Sequence, residues 1–302
     1  MNRRLFLAGW FAYVALVALA ALAHAGETVL YEKASAFSTI VVTEEEHGLR
    51  ALRFGKSGVR QSVVKLGDPD HLALPYVQVA LVGLALLEEP SRFLVVGLGG
   101  GTLPMFLRKH YPNAAIDVVD IDPDVVEVAK KFFGFREDRL MNVHVDDGRQ
   151  FIEKIREPYD VIFLDAFGSN SIPAHLTTQE FLQAVRRAVT PGGVVVGNVW
   201  GRLANPLYDP MVRTYRDVFD ELIILDVRGA ENRILLALLR KQPLNRDELT
   251  QMARKVSVTK QLPFDLGDPV KYGFQDAHTT NPRERVLRDR DIGQRKPDSF
   301  SK

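Results

Sequence analysis

Phe93-Leu94-Val95-Val96-Gly97-Leu98-Gly99-Gly100-Gly101-Thr102-Leu103 is the stretch that decides the fold of this chain. Four apolar residues in a row suit a strand buried on both faces, as in a parallel sheet. The glycines at 97, 99 and 101 let the backbone turn tightly and let a ligand approach it closely. Leu103 to His110 then has helical character. Strand, glycine turn and helix in that order predict the nucleoside-binding edge of an α/β sheet. The third glycine of the dinucleotide fingerprint is missing, and so is the Lys-Ser/Thr pair of a phosphate loop.

Working outward toward the C-terminus, the same rhythm repeats. Ile116–Asp120, Met141–Val145, Val161–Leu164 and Val194–Val196 read as further strands, with helices at 124–133, from Phe151, and at 178–189. Pro191-Gly192-Gly193 is expected to turn the chain, and Leu222–Val227 with Arg233–Leu239 to close a strand pair around Gly229. Alternating β and α elements predict a mostly parallel, doubly wound α/β sheet over residues 73–240. Toward the N-terminus, short alternating runs at 39–43, 49–54 and 61–64 predict a small antiparallel β-meander within 28–72. Tyr76 to Leu87 reads as an apolar helix. Residues 241–274 form a C-terminal extension, and 275–302 are polar, charge-mixed and expected to be unstructured.

Acids stand at successive strand ends. Asp120 is placed to accept ribose hydroxyls, with Asp122 as the competing choice. Asp147-Gly148 is placed at the adenine edge, the carboxylate accepting the exocyclic amine, with Asp146 as the competitor. Asp165 follows four apolar residues at a cleft mouth, where burial raises a carboxylate's pKa and suits it to act as a general base.

Composition narrows the functions. With 46% hydrophobic residues over 302, the chain can bury a sizeable core. A net charge of +1 with no basic stripe gives no reason to expect a nucleic-acid partner. There are no cysteines, which removes thiolate nucleophiles and Cys-ligated zinc, and the seven histidines lack metal-ligand spacing, so no metal is expected. Residues 1–25 read as a signal peptide or a retained membrane anchor. Arg3 and Arg4 precede the uncharged stretch 5–23, and Ala23-His24-Ala25 follows as a cleavage pattern. Arg3-Arg4-Leu5-Phe6-Leu7 resembles a twin-arginine signal. Either reading exports the remainder to the periplasmic side, free or tethered through 5–23.

The meander, the following helix and the run from Val95 to Trp200 resemble the spermidine synthase (polyamine aminopropyltransferase) family, in particular its divergent, membrane-associated bacterial members. The resemblance implies a methyltransferase-like Rossmann fold, a homodimer, and decarboxylated S-adenosylmethionine or S-adenosylmethionine as co-substrate. It assigns Gly97, Gly99, Gly101, Asp120, Asp147 and Gly148 to the nucleoside, and Asp165 to deprotonation of an attacking amine. The family's loop after the first strand reads G-G-G-D-G-G, and Gly100 stands where its aspartate holds the donor amine. Gly168 likewise falls at a second, polyamine-binding acid. Gln61 matches a glutamine of the meander. The family's Y-H-E triplet falls on Leu74-Pro75-Tyr76 and is lost, leaving Gln61 and Tyr76 as the substrate-binding candidates. Three functions follow: aminopropyl transfer to a small amine, methyl transfer to an unidentified acceptor, or nucleoside binding without turnover.

Overall fold

The computed structural model describes residues 27–168, 171–275 and 283–294. The expected signal or anchor segment, 1–25, lies outside the described residues. Among the described residues no helix is long and apolar enough to cross a membrane.

Four antiparallel strands, β1 (Thr28–Ala34), β2 (Thr39–Glu45), β3 (Leu49–Phe54) and β4 (Arg60–Lys65), make the meander in that order. Its inward residues Ile40, Val42 and Leu52 are fully buried. Each such side chain is worth about 1.5–3 kcal/mol relative to exposure. Val64 joins them, and all four pack with Val125, Val128 and Phe133 of the following domain. A lone four-stranded meander would leave that face wet, so its stability depends on docking.

The main sheet holds β5 (Arg92–Val96), β6 (Ala115–Asp120), β7 (Met141–Val145), β8 (Tyr159–Leu164), β9 (Val189–Trp200), β10 (Glu221–Asp226), β11 (Asn232–Leu238) and the short β12 (Phe274–Gln275). Their order is β12-β10-β11-β9-β8-β5-β6-β7. The five from β9 to β7 run parallel, and β11, β10 and β12 pair antiparallel at the other edge. Strand order reverses between β5 and β8, which makes the crevice above their carboxyl ends the ligand position of such a sheet. Period-two alternation in β5 feeds two cores: Phe93 and Val95 pack on one face, Leu94 on the other.

Helices α1 (Pro75–Ala80), α2 (Thr102–His110), α3 (Pro123–Phe132), α4 (Gly148–Glu153), α5 (Gln179–Ala188) and α6 (Tyr208–Val218) flank the sheet. The expected apolar helix at 76–87 is α1 continued as a 3-10 turn over Leu81–Leu86. α4 begins three residues before the expected Phe151, because Asp147 caps it. Pro191-Gly192-Gly193 does not end a strand: β9 continues through it, with a register shift against β8 between Tyr159 and Val161 absorbing the extra residues. In the C-terminal extension, α7 (Arg246–Thr259) opens with a capping box from Asn245 and Glu248, and α8 (Gly267–Gly273) follows. Leu249, Ala253, Leu266 and Val270 bury into the main core.

The tail departs from expectation where it is described. Residues 283–294 pack against the domain rather than lying free, and Leu287 is 2% exposed. Its backbone bonds Gln179 and the Thr214 hydroxyl, while Asp289 pairs with Arg149 through two bonds of 2.7 Å. One apolar side chain and one bidentate ion pair outweigh the polar composition around them.

Candidate functional site

Gly97 sits at the crevice. Its φ is 102°, and a Cβ there would lie 2.4 Å from the Asp165 carbonyl oxygen. The ends of β5 and β8 therefore touch only because residue 97 has no side chain. Its N–H donates to the Val119 carbonyl at 2.8 Å, and the Asp165 N–H donates to Val96 at 2.8 Å, so all three strand ends are tied together. Gly101 has a different reason for being glycine: a Cβ would meet the Phe135 ring at 2.8 Å.

The three acids expected at the site, and the two that competed with them, have unlike surroundings. Asp120 accepts the Leu98 N–H at 2.9 Å through Oδ2 and the Asp122 N–H at 3.0 Å through Oδ1. Burial nonetheless raises its pKa, with the backbone bonds opposing. Asp122 is occupied elsewhere, capping α3 and accepting the Ser35 hydroxyl of the β1–β2 hairpin at 2.5 Å.

Asp147 is an N-cap. Its Oδ1 accepts the N–H groups of Arg149 and Gln150, both at 3.0 Å, and its Oδ2 meets His175 Nε2 at 2.8 Å. These bonds outweigh the opposing effect of burial, its largest single influence, and hold the carboxyl below its ordinary range. Asp146 accepts the Asp147 N–H and an ion pair from Lys154.

Asp165 receives only side-chain donors: Asn198 Nδ2 at 2.8 Å and the Tyr76 hydroxyl at 3.1 Å. Asn198 is itself oriented by Asn232, whose amide donates to its Oδ1 at 2.9 Å. Burial pushes Asp165 up to about 6, the two hydrogen bonds pulling the other way. At neutral pH it is an ionised base whose proton affinity lies within reach of catalysis. The same burial and the adjacent carboxylate drive the Tyr76 hydroxyl well above its usual value, so Tyr76 remains a donor.

A cleft of about 430 Å³ brings together Gln61, Tyr76, Gly97, Gly99, Asp120, Gly148 and Asp165; Gly101 and Asp147 stand behind its lining. Its described lining holds three carboxylates, Asp120, Asp122 and Asp165, and no Lys or Arg. At Gly100 a Cβ would meet Phe133 at 2.8 Å and the Ser62 hydroxyl at 2.9 Å, so no acid fits there without rearrangement. Gly168 is open by contrast, its Cβ position 3.4 Å from the nearest atom. Among the described residues no cluster of three or more His, Asp or Glu side chains is placed to hold a metal ion.

Two residues of the site were not read from the sequence. Asn198 carried a usable signal, a polar residue inside the apolar run 194–199, and it is 5% exposed. His175 carried none, since its partner lies 28 residues away.

The spermine/spermidine synthase domain family matches residues 76–203. A polyamine aminopropyltransferase of Vibrio vulnificus is 36% identical over 246 residues, covering 79% of this chain and 81% of that protein. A human eEF1A lysine and N-terminal methyltransferase is 35% identical over 216 residues, covering 65% of this chain but only 31% of that longer protein. The structure of human methyltransferase-like protein 13 in complex with SAH superposes with a TM-score of 0.57 at 33% identity, covering 68% of this chain and 97% of that one. The strand order, the glycine turn and the extent of the likeness to the Vibrio vulnificus enzyme agree: the chain belongs to the spermidine synthase (polyamine aminopropyltransferase) family.

Proposed function

We propose that this protein transfers an aminopropyl group from decarboxylated S-adenosylmethionine to a primary amine, with Asp165 as the base. The observation that carries the reading is Asp165 itself: buried, ionised at neutral pH, and fixed by Tyr76 and Asn198 beside the glycine turn. The amine nitrogen attacks the methylene bonded to the sulfonium. A C–N bond forms and the C–S bond breaks with its electron pair passing to sulfur, so neutral methylthioadenosine leaves. The proton lost by the amine goes to Asp165. The sulfonium is already a good leaving group, so the protein's contributions are positioning and proton removal. A cleft with three acids and no Lys or Arg in its described lining suits a donor that carries an ammonium and no carboxylate.

Methyl transfer from S-adenosylmethionine is the second reading, and Gly100 favours it. An aspartate for the donor ammonium has no room there, and the 35% identical human relative is a methyltransferase. Calorimetric titration with S-adenosylmethionine, its decarboxylated form and methylthioadenosine separates the two. Preference for the decarboxylated donor, with amine-dependent release of methylthioadenosine, supports aminopropyl transfer. Formation of S-adenosylhomocysteine supports methyl transfer, and tight binding without turnover on any amine leaves a binding protein. Absence of binding by every adenosine compound sinks all three.

We extend the proposal to location: residues 1–25 carry the domain out of the cytoplasm. Sequencing the N-terminus of protein recovered from membrane and periplasmic fractions distinguishes a retained anchor, beginning at Met1, from a cleaved signal, beginning at Gly26. Recovery from the cytoplasm alone would overturn export.

A further inference from the structure

Both oxygens of Asp147 are engaged inside the protein, and Asp147 is absent from the cleft lining, whereas His175 is part of it. The residue expected to read the adenine edge is thus turned to other work, and a different side chain occupies the wall beside Gly148. An ionised carboxylate only accepts hydrogen bonds, so the Nε2 facing Asp147 carries the proton. In the neutral imidazole this leaves Nδ1 as a bare acceptor, and Nδ1 has no hydrogen-bond partner among the described residues.

Three contacts hold the loop that carries the ring. Arg149 Nη1 donates to the His175 carbonyl at 3.4 Å, and the same guanidinium is gripped by Asp289 through two 2.7 Å bonds. Thr178, three residues on, donates to Asp289 at 2.7 Å. The short 3-10 turn Ala174–Leu176 is therefore fastened both to α4 and to the tail. A loop residue held from its side chain, its carbonyl and its neighbour is preorganised for recognition.

From this arrangement we infer that His175 is the base-reading residue of the cleft, its Nδ1 accepting the exocyclic amine of adenine while Asp147 fixes its tautomer. The assignment rests on the nucleoside-donor reading above and specifies how that donor is recognised. A 6-oxo base presents an acceptor where adenine presents a donor, so a bare Nδ1 opposite it discriminates by leaving two acceptors face to face.

The test is calorimetric titration of methylthioadenosine and its 6-oxo analogue, methylthioinosine, in mildly alkaline buffer. Wild type, His175→Ala and His175→Gln are compared. Wild type is expected to favour the adenine compound roughly tenfold or more. His175→Ala should bind the two within about threefold of each other, and His175→Gln, whose amide both donates and accepts, should restore part of the preference. Thermal unfolding of both variants checks that the loop change leaves the fold intact. A full preference retained in His175→Ala, or no preference in wild type, overturns the assignment while leaving the transferase reading standing. Binding of neither nucleoside by wild type overturns both.

Discussion

Asp147 and Asp165 each follow a strand of the same parallel sheet, β7 and β8, and look interchangeable on paper. Their surroundings divide them. Asp147 is tied to two backbone N–H groups and a histidine, which hold its carboxyl low and make it part of the scaffold of α4. Asp165 has a tyrosine hydroxyl and a side-chain amide, is buried, and is pushed up to about 6. Backbone donors at a helix start are supplied by the fold whatever the function, so an acid bonded to them is explained by stability. An acid kept in a cleft by side chains alone, at a cost in desolvation, calls for another explanation, and the proposed role as base supplies one.

The sharpest way to break this contrast is Asp165→Asn. Transfer should fall by about 10²–10⁴, as expected for loss of a general base, with methylthioadenosine affinity within a fewfold of wild type. Stability should move oppositely. The folded-state pKa of about 6 lies above the ordinary 3.8, so the folded protein holds a proton that the unfolded chain gives up between those values. Stability is therefore lost as pH rises through that window, and the variant removes the penalty. At pH about 8 it should unfold later than wild type by about 1–3 kcal/mol, the difference vanishing below pH about 4. Denaturant titrations at the two pH values measure it, and a variant that keeps transfer activity would remove Asp165 from its role.

Asp147→Ala tests the other side. Loss of the cap should cost about 1–2 kcal/mol in urea unfolding, Asp147→Asn less, because asparagine caps nearly as well. The turnover rate with saturating nucleoside should stay within a fewfold; a fall as deep as that of Asp165→Asn would erase the distinction drawn here.

Tyr76→Phe is the smallest and finest probe. The hydroxyl favours the ionised form of Asp165, so removing it raises a pKa that already stands at about 6. The acidic limb of the turnover profile should move to higher pH by up to about one unit. An unmoved limb would mean that Tyr76 does not govern the base.

The parallel sheet was legible because β5, β8 and the middle of β9 carry continuous apolar runs, and Phe93–Val96 followed by glycine has few other readings. The acids at 120, 147 and 165 were legible as positions, but their division of labour was not. The helix start at Gly148 signals a cap at Asp147, and cap and adenine acceptor compete for the same residue type. The partners of Asp165 come from 89 and 33 residues away, so no local pattern announces them. The tail misled for a related reason: Val286 and Leu287 are a short apolar pair among charges, and the burial of Leu287 depends on a groove made by α5 and α6.

The pairing of Arg149 with Asp289 spans 140 residues. A ribosome adding about 5–20 residues per second needs on the order of ten seconds to get from one to the other. Through that interval the nascent chain can display its glycine turn and its parallel strands while the wall beside Gly148 still lacks its brace. The cleft wall is thus completed later than the sheet itself, and a chain interrupted before residue 283 would carry a recognisable sheet with an unfinished cleft.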